Sequence, residues 1–488
     1  MGQCAHFTTC GLAGHDTVDG REYCILHLPQ SKGKDLQSFQ QTLADHLEAG
    51  HCDLRHIVWP AGAGNADLSG RRFLDHVDLT GAVVEQALLL ARCEFGKGAT
   101  LNVRNALQIQ LEGAVIRGPL ELKIASIRGV ILQGATVEDE LNVDVDGSLE
   151  FHSPSTRFLR RAFVRAIEIS GFYAHDAEFA RGLVIRSRVQ RISLVHATVR
   201  ELLDFGECAF VADHDFSETA FGDDCLMNLS GVHCRGALRI MAHPVMPSEI
   251  CIDGLVAAGD VTIAAASGSS RRRLVARDST PRLHGEVFLT HVDLAECRLV
   301  GNVMDKFTFN DVTWASRGRR SELRSVLYDE VVGRSGGAID LQRTRESYEV
   351  LKEFYQKRGD HTTAGHFHYG EMEMRRHGYG NVGSLFCWPF LYWLLSGYGT
   401  RPNRALCALA ILAGLATVLY WSIGGVDLFW DALRFSLAVT TLQRPEPDKF
   451  VPQLDLTPAG SWTQVLQTVL APMLIALFFL ALRMRLRR

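Results

Sequence analysis

The chain has 488 residues and a net charge of −4, with 51 Lys and Arg against 55 Asp and Glu. That balance excludes a global electrostatic signature of nucleic-acid binding, and the length suits about two to four domains of roughly 100–200 residues. Apolar residues make up 47%, an ordinary average, yet they concentrate after Arg401.

The opening stretch, MGQCAHFTTCGLAGHD, has neither the basic start nor the apolar run of a secretory leader. His6 stands where a myristoylation signal needs Ser or Thr. The bulk of the chain is therefore expected in the cytoplasm. Its 12 cysteines are then reduced thiols or metal ligands rather than a disulfide framework.

Residues 1–30 hold the one dense chemical constellation. Cys4, Cys10, Cys24 and His27 follow the pattern C-x5-C-x13-C-x2-H. Three thiolates and an imidazole suit tetrahedral zinc, and four ligands close the shell, so the expected site is structural. A head this small cannot build its own core, and the metal would hold its fold. His6 and His15 are alternative donors for one position. The pattern resembles small bacterial zinc-binding heads of the C…C…YC..H type. Residues 31–65 are expected to form a helical linker.

From about Ala66 to Trp314 a short period recurs. ADLSG at Ala66 and HVDLT at His76 are close to A-(D/N)-L-x-x, and HVDLAECRLVG at His291 restores it. Ala114, Ala135, Ala177 and Ala197 each head an A-x-(I/V/F) triplet, at gaps of 21, 42 and 20 residues. Alternating apolar pairs such as Leu120/Leu122, Leu141/Val143 and Leu183/Ile185 accompany them. Steps near 20 residues are four pentapeptides, one turn of a four-sided coil. Single coils cannot bury their inward side chains, so coils stack around a shared apolar column. About eleven layers at roughly 4.8 Å each predict a rod on the order of 50 Å. Coil boundaries are blurred at Ala212–Asp224 and at Ser267–Pro281, where SGSSRRRLVARDSTP reads as a projecting polar loop.

Residues 340–378 predict a helical hairpin broken at Gly359-Asp360, with Ala364, Phe367 and Glu371 on a tetratricopeptide-like second helix. His366, His368, Glu373 and His377 lie there too. Only Glu373 and His377 share an i,i+4 face, so a structural, solvated role is expected.

Residues 384–488 predict a membrane module. Two uncharged runs, about 405–423 and 465–482, have bilayer-spanning length, and Pro472 is tolerable in the second. Arg401 and Arg404 precede the first; Arg483, Arg485, Arg487 and Arg488 follow the second. Basic residues gather on the cytoplasmic side, so both ends face inward. FCWPFLYWLLSGYG, Phe386 to Gly399, suits the interface. Between the spans, about 426–442, FWDALRFSLAVTT is similar to the pore helix of two-span tetrameric cation channels. The candidate pore residues are Trp430, Phe435, Thr440, Thr441 and Arg444. Where a potassium filter reads TVGYGD, this chain reads TLQRPEPD, which argues against carbonyl-ring selectivity.

The repeats resemble the pentapeptide-repeat proteins, and more narrowly their membrane-attached bacterial members. That subgroup resemblance also covers LKEFYQKRGDHTTAGHFHYGEMEMRR, LSGYGTRPNRAL and LAPMLIALFFLALRMRLRR. It implies a mainly β chain: a right-handed, four-sided β-solenoid over 66–315, with the helical hairpin, two transmembrane helices and the zinc-binding head. It also implies a multi-pass protein of the bacterial inner membrane.

No phosphate loop, G-x-S-x-G elbow or H-E-x-x-H helix appears, so an enzyme is not expected. The expected function is a cytoplasm-facing, membrane-anchored scaffold or sensor whose solenoid recognises a protein partner. The alternative is an oligomeric pore, tetrameric by the channel likeness, or a membrane-permeabilising effector gated through the solenoid. Nucleic acid is not an expected partner; mimicry of DNA needs an acidic column, and this region mixes arginines with acids.

Overall fold

The computed structural model describes residues 2–125, 127–241, 245–266, 270–318, 323–334, 340–379, 387–399, 401–441 and 456–486. Two compact units are present, Met1–Ala315 and Ser316–Arg488.

The first unit is a β-solenoid of about twelve turns. Strands of two to twelve residues pair in parallel with strands one turn away, and each turn offers four faces. The first face runs through Ala66, Leu88, Ile109, Val130, Phe151, Phe172 and Ile192. The second runs Phe73, Phe95, Ile116, Val137, Phe158, Phe179, Val199 and Phe221. The third passes Val77, Ala99, Leu120, Leu141, Ala162 and Leu183. The fourth holds Leu149, Ile169, Val189, Phe210, Cys234 and Ala257. Like stacks on like because the register is parallel and the turn length repeats. Phe158 and Phe179 lie 4.8 Å apart at 8°, and Phe151 and Phe172 5.0 Å apart at 8°. Alternation along each strand sends one residue into this core and its neighbours out.

The Ala triplets mark one corner of this coil. Ala114, Ala135, Ala177 and Ala197 are all buried immediately before second-face strands. The 42-residue gap is no missing turn. Thr156 occupies the alanine's place, and its hydroxyl donates to Leu132 O at 2.6 Å. Cys93 and Thr219 sit in the same column and donate to Leu68 O and Leu194 O, both at 3.2 Å. The corner accepts alanine, or a small polar side chain that hands its proton back to the preceding coil.

Further buried thiols, Cys208, Cys225 and Cys234, follow beyond that column. Burial pushes Cys208 and Cys234 up to about 11 and Cys225 up to about 12.

The same corner requires a left-handed residue one position earlier. Gly113 and Gly134 supply it at φ 63° and 65°, and Ser155 does so at φ 53°. All three amides bond to the next coil, at 2.8–2.9 Å. Ser155 is exposed and strained, so Ser155→Gly is expected to stabilise the solenoid by about 1 kcal/mol. Equilibrium denaturation of the full chain checks this; a destabilised variant contradicts the strain account.

Later turns lengthen. Steps along the first face grow from 20–22 residues to 24 between His214 and Leu238, 23 to Val261 and 26 to Val287. These longer turns explain the blurred boundaries around 212–224 and 267–281. The Ser267–Pro281 stretch is not simply a projecting loop. Arg272–Ala276 is a strand paired with Glu249–Cys251 and Val292–Cys297, and Leu274, Val275 and Ala276 are buried. At one corner of these turns Gly236, Gly259 and Gly285 stack, and a Cβ on any of them would collide with the preceding coil's backbone.

At the N-terminal end of this unit, helices α1 (Phe7–Cys10) and α2 (Leu36–Glu48) flank a hairpin of Asp16–Val18 with Arg21–Tyr23. Its turn, Asp19-Gly20, has φ 51° and 76°, the two positive values of a tight two-residue hairpin. Asp35 caps α2 by accepting from the Ser38 amide, and Phe39, Leu43 and His46 face the core. Coil pairing begins within the 31–65 stretch, through parallel bridges Asp53–Asp78 and Val58–Val83.

In the second unit, α3 (Tyr328–Arg334) precedes the hairpin of α4 (Leu341–Lys357) and α5 (His361–His377). Asp340 and Asp360 cap the hairpin helices. Glu330 of α3 is fully buried. Arg317 and Arg324 donate to its Oε1 at 2.9 and 2.5 Å, and the Tyr348 hydroxyl donates to its Oε2 at 2.6 Å. Arg324 also lies 4.9 Å over the Tyr369 ring. Then come α6 (Trp388–Ser396), α7 (Pro402–Ser422), α8 (Phe429–Thr440) and α9 (Pro458–Leu486). By length and composition α7 and α9 are apolar enough to cross a bilayer. Arg483 is exposed near the end of α9, and Arg487 and Arg488 lie outside the described residues.

Candidate metal centre and apolar hairpin

Three local structures bring the head's ligands together. Cys4 precedes α1, Cys10 closes it, and the hairpin returns the chain to a turn in which the His27 and Leu28 amides donate to Cys24 O. That turn sets Cys24 Sγ 3.1 Å from His27 Nδ1. Cys4 Sγ lies 3.7 Å from the same nitrogen, and Cys10 Sγ 3.9 Å from Cys24 Sγ. All four donor atoms lie within 4.8 Å of one another, and all four residues are buried. Ligands 2.0–2.3 Å from one tetrahedral ion stand about 3.3–3.8 Å apart, so the cluster could hold a metal ion with little movement. No position stays open for a reacting water.

Surrounding groups prepare the donors. His27 Nε2 points to Arg55 O at 2.9 Å; that contact places its proton there and aims the Nδ1 lone pair at the thiols. The His6 amide donates to Cys4 Sγ at 3.4 Å. A hydrogen bond from Cys24 pulls the Cys10 thiol down to about 3, while the same contact and burial push Cys24 up. A dication bound there would displace the thiol protons. Burial pushes Lys34 down to about 7, with Cys24 drawing it the other way. Its ammonium donates to Leu26 O and Val58 O.

Of the two alternative donors, His6 stacks on the rings of His27 and His56, each 4.8 Å away, and His15 is exposed. The head also docks on the first coil. Val58 N donates to Leu26 O at 2.9 Å, Phe39 packs edge-on against Trp59, and Leu26 and Leu28 are buried. The centre is thus the cap of the solenoid, covering strand edges that would otherwise face solvent.

The imidazoles of the α4–α5 hairpin do not converge. His366 contacts Ser325, and His368 lies 3.4 Å from Glu371. Glu373 departs from the expected solvated role: it is buried, accepting from Tyr398 at 3.0 Å and Arg376 at 3.1 Å. Among the described residues the N-terminal cluster is the only group of three or more His, Cys, Asp or Glu side chains placed so that it could hold a metal ion.

The residues singled out between the spans divide. Trp430 is exposed on α8, and Thr441 is exposed at its end. Phe435 is fully buried, edge-on to Tyr420 at 5.0 Å, within a cluster that includes Ala416, Ala432 and Val439. Thr440 is buried too. Arg444 lies outside the described residues. The decisive partner is Gln467 of α9, whose amide donates to Ser436 O, Ser436 Oγ and Thr440 Oγ1 at 2.8–2.9 Å and accepts from Tyr420 at 3.0 Å. One glutamine in an apolar run signals such a network, because a buried amide without partners is costly.

Comparison with family models, with curated proteins and with solved structures found no match.

Proposed function

We propose that this is a pentapeptide-repeat-like scaffold, anchored in the bacterial inner membrane by α7 and α9, whose cytoplasmic solenoid recognises a protein partner. Zinc in the N-terminal cluster holds the cap. The observation that supports this reading is the pairing, in one chain, of a stacked surface of about twelve turns with two helices of bilayer length. Repetitive surfaces serve recognition rather than chemistry. Outward acids and bases pair between coils, as Glu178 does with Arg157 and Arg200, a pattern suited to a polar protein surface. Crosslinking combined with limited proteolysis, in right-side-out and inverted vesicles, tests it. The expected result is cleavage of residues 76–314, and capture of a partner on them, only in inverted vesicles. Cleavage from outside, or release of the chain by carbonate, overturns the reading.

A second reading, an oligomeric pore, draws on the clamp of α8 by Gln467. Planar-bilayer recording of the purified chain tests it. Reproducible unitary currents altered by Gln467→Leu support a pore, and silence removes it.

A further inference from the structure

A groove of about 1300 Å³ runs between α6, α7 and α9. It exceeds the roughly 300–1,000 Å³ that suits a drug-sized ligand. Its walls are apolar: Trp388 and Leu391 from α6, Ile411 and Leu415 from α7, Met473 and Leu477 from α9. One charge lines it, Arg404, in the first turn of α7. Arg404 Nη1 donates to Trp393 O at 3.1 Å, and the guanidinium lies 4.9 Å over the Trp393 ring. These contacts fix the group while using one of its five donors. No carboxylate pairs with it among the described residues.

We propose that the groove binds one anionic phospholipid, its acyl chains against Ile411, Leu415, Met473 and Leu477 and its phosphate on Arg404. The proposal rests on the anchoring reading above. A long apolar trough with a cation at one end is complementary to a molecule with apolar tails and a single anionic head. Basic pockets between helices on the cytoplasmic side recognise such heads, and a fixed arginine fork matches phosphate geometry. A second copy of the same hairpin is a poorer occupant. Helices α6, α7 and α9 carry no Asp or Glu, so a copy packed there would leave Arg404 without a counter-charge.

The test is native mass spectrometry of the full chain released from nanodiscs containing equal dioleoylphosphatidylglycerol and dioleoylphosphatidylcholine. One phosphatidylglycerol per chain is expected, retained at least tenfold over phosphatidylcholine. Arg404→Ala should remove that preference and Arg404→Lys should keep part of it. Leu477→Trp, which fills the trough and leaves the cation, should lower retention of both lipids at least fivefold. Equal retention of the two lipids, retention unchanged in Arg404→Ala and Leu477→Trp, or a lipid-free dimer joined across α6 overturns the proposal. Carbonate extraction of membranes containing the same variants separates the two ideas. A chain that stays in the pellet without lipid preference loses the groove site only, whereas a chain that washes off loses its anchor as well.

Discussion

Cys24→Ser is expected to empty the head of metal, taking bound zinc from one per chain to none by plasma emission. The consequence should extend beyond residue 30, because the liganding turn also carries Leu26, which bonds the first coil. With free zinc a thousandfold above its dissociation constant, binding contributes about 4 kcal/mol to whatever folds with it. Hydrogen exchange at Val58 should therefore accelerate by about a thousandfold, and chelation of the wild-type chain should reproduce the effect. Cys52→Ser is the control, since Cys52 is buried nearby yet directs its thiol to Gly50 O. Full metal content in Cys24→Ser, or a wild-type chain indifferent to chelation, refutes the centre.

The second large effect is expected at Glu330. Its carboxylate is enclosed by two arginines and a tyrosine hydroxyl, so Glu330→Ala leaves Arg324, whose side chain is only 14% exposed, without its counter-charge. Breaking a buried pair in this way costs about 3–5 kcal/mol. Exchange across α4 and α5 in the detergent-solubilised full chain should speed up by about a hundredfold to a thousandfold. Tyr348→Phe removes one hydrogen bond and should cost about 1 kcal/mol. Arg317→Ala should cost less than Glu330→Ala, because the Arg317 side chain is 36% exposed and water can replace part of the lost contact. An unchanged exchange pattern in Glu330→Ala means the cluster does not hold these helices.

What could be read from the residues depended on whether a constraint is local or shared between distant segments. The C-x5-C-x13-C-x2-H spacing is local chemistry, and the four ligands meet as that spacing suggests. The coil period was legible wherever alanine filled the tight corner. It faded at Thr156, because a hydroxyl can also satisfy that corner, and again where turns grew beyond 22 residues. The apolar helices lie near their expected bounds, although α7 starts at Pro402 and α9 at Pro458, both before the uncharged runs. Other features depend on contacts across the fold. Neither the docking of His27 on Arg55 O nor the enclosure of Glu330 has a sequence signature, since each joins segments whose separation is arbitrary. Gln467 is a lone amide in an apolar run, but its partners Ser436 and Tyr420 appear only once the hairpin closes.

The thiols embedded in the stack give the solenoid an intrinsic chemical clock. Cys93 and Cys208 sit on separate coils, Cys225 and Cys234 share a third, and all four are protonated and sheltered while those coils are in place. Alkylation at each sulfur therefore has to wait for its own layer to peel away. Timed exposure to iodoacetamide, followed by peptide mapping, would give the order in which the layers detach. It would also tell whether fraying starts at the end covered by the Cys/His cap or at the opposite one.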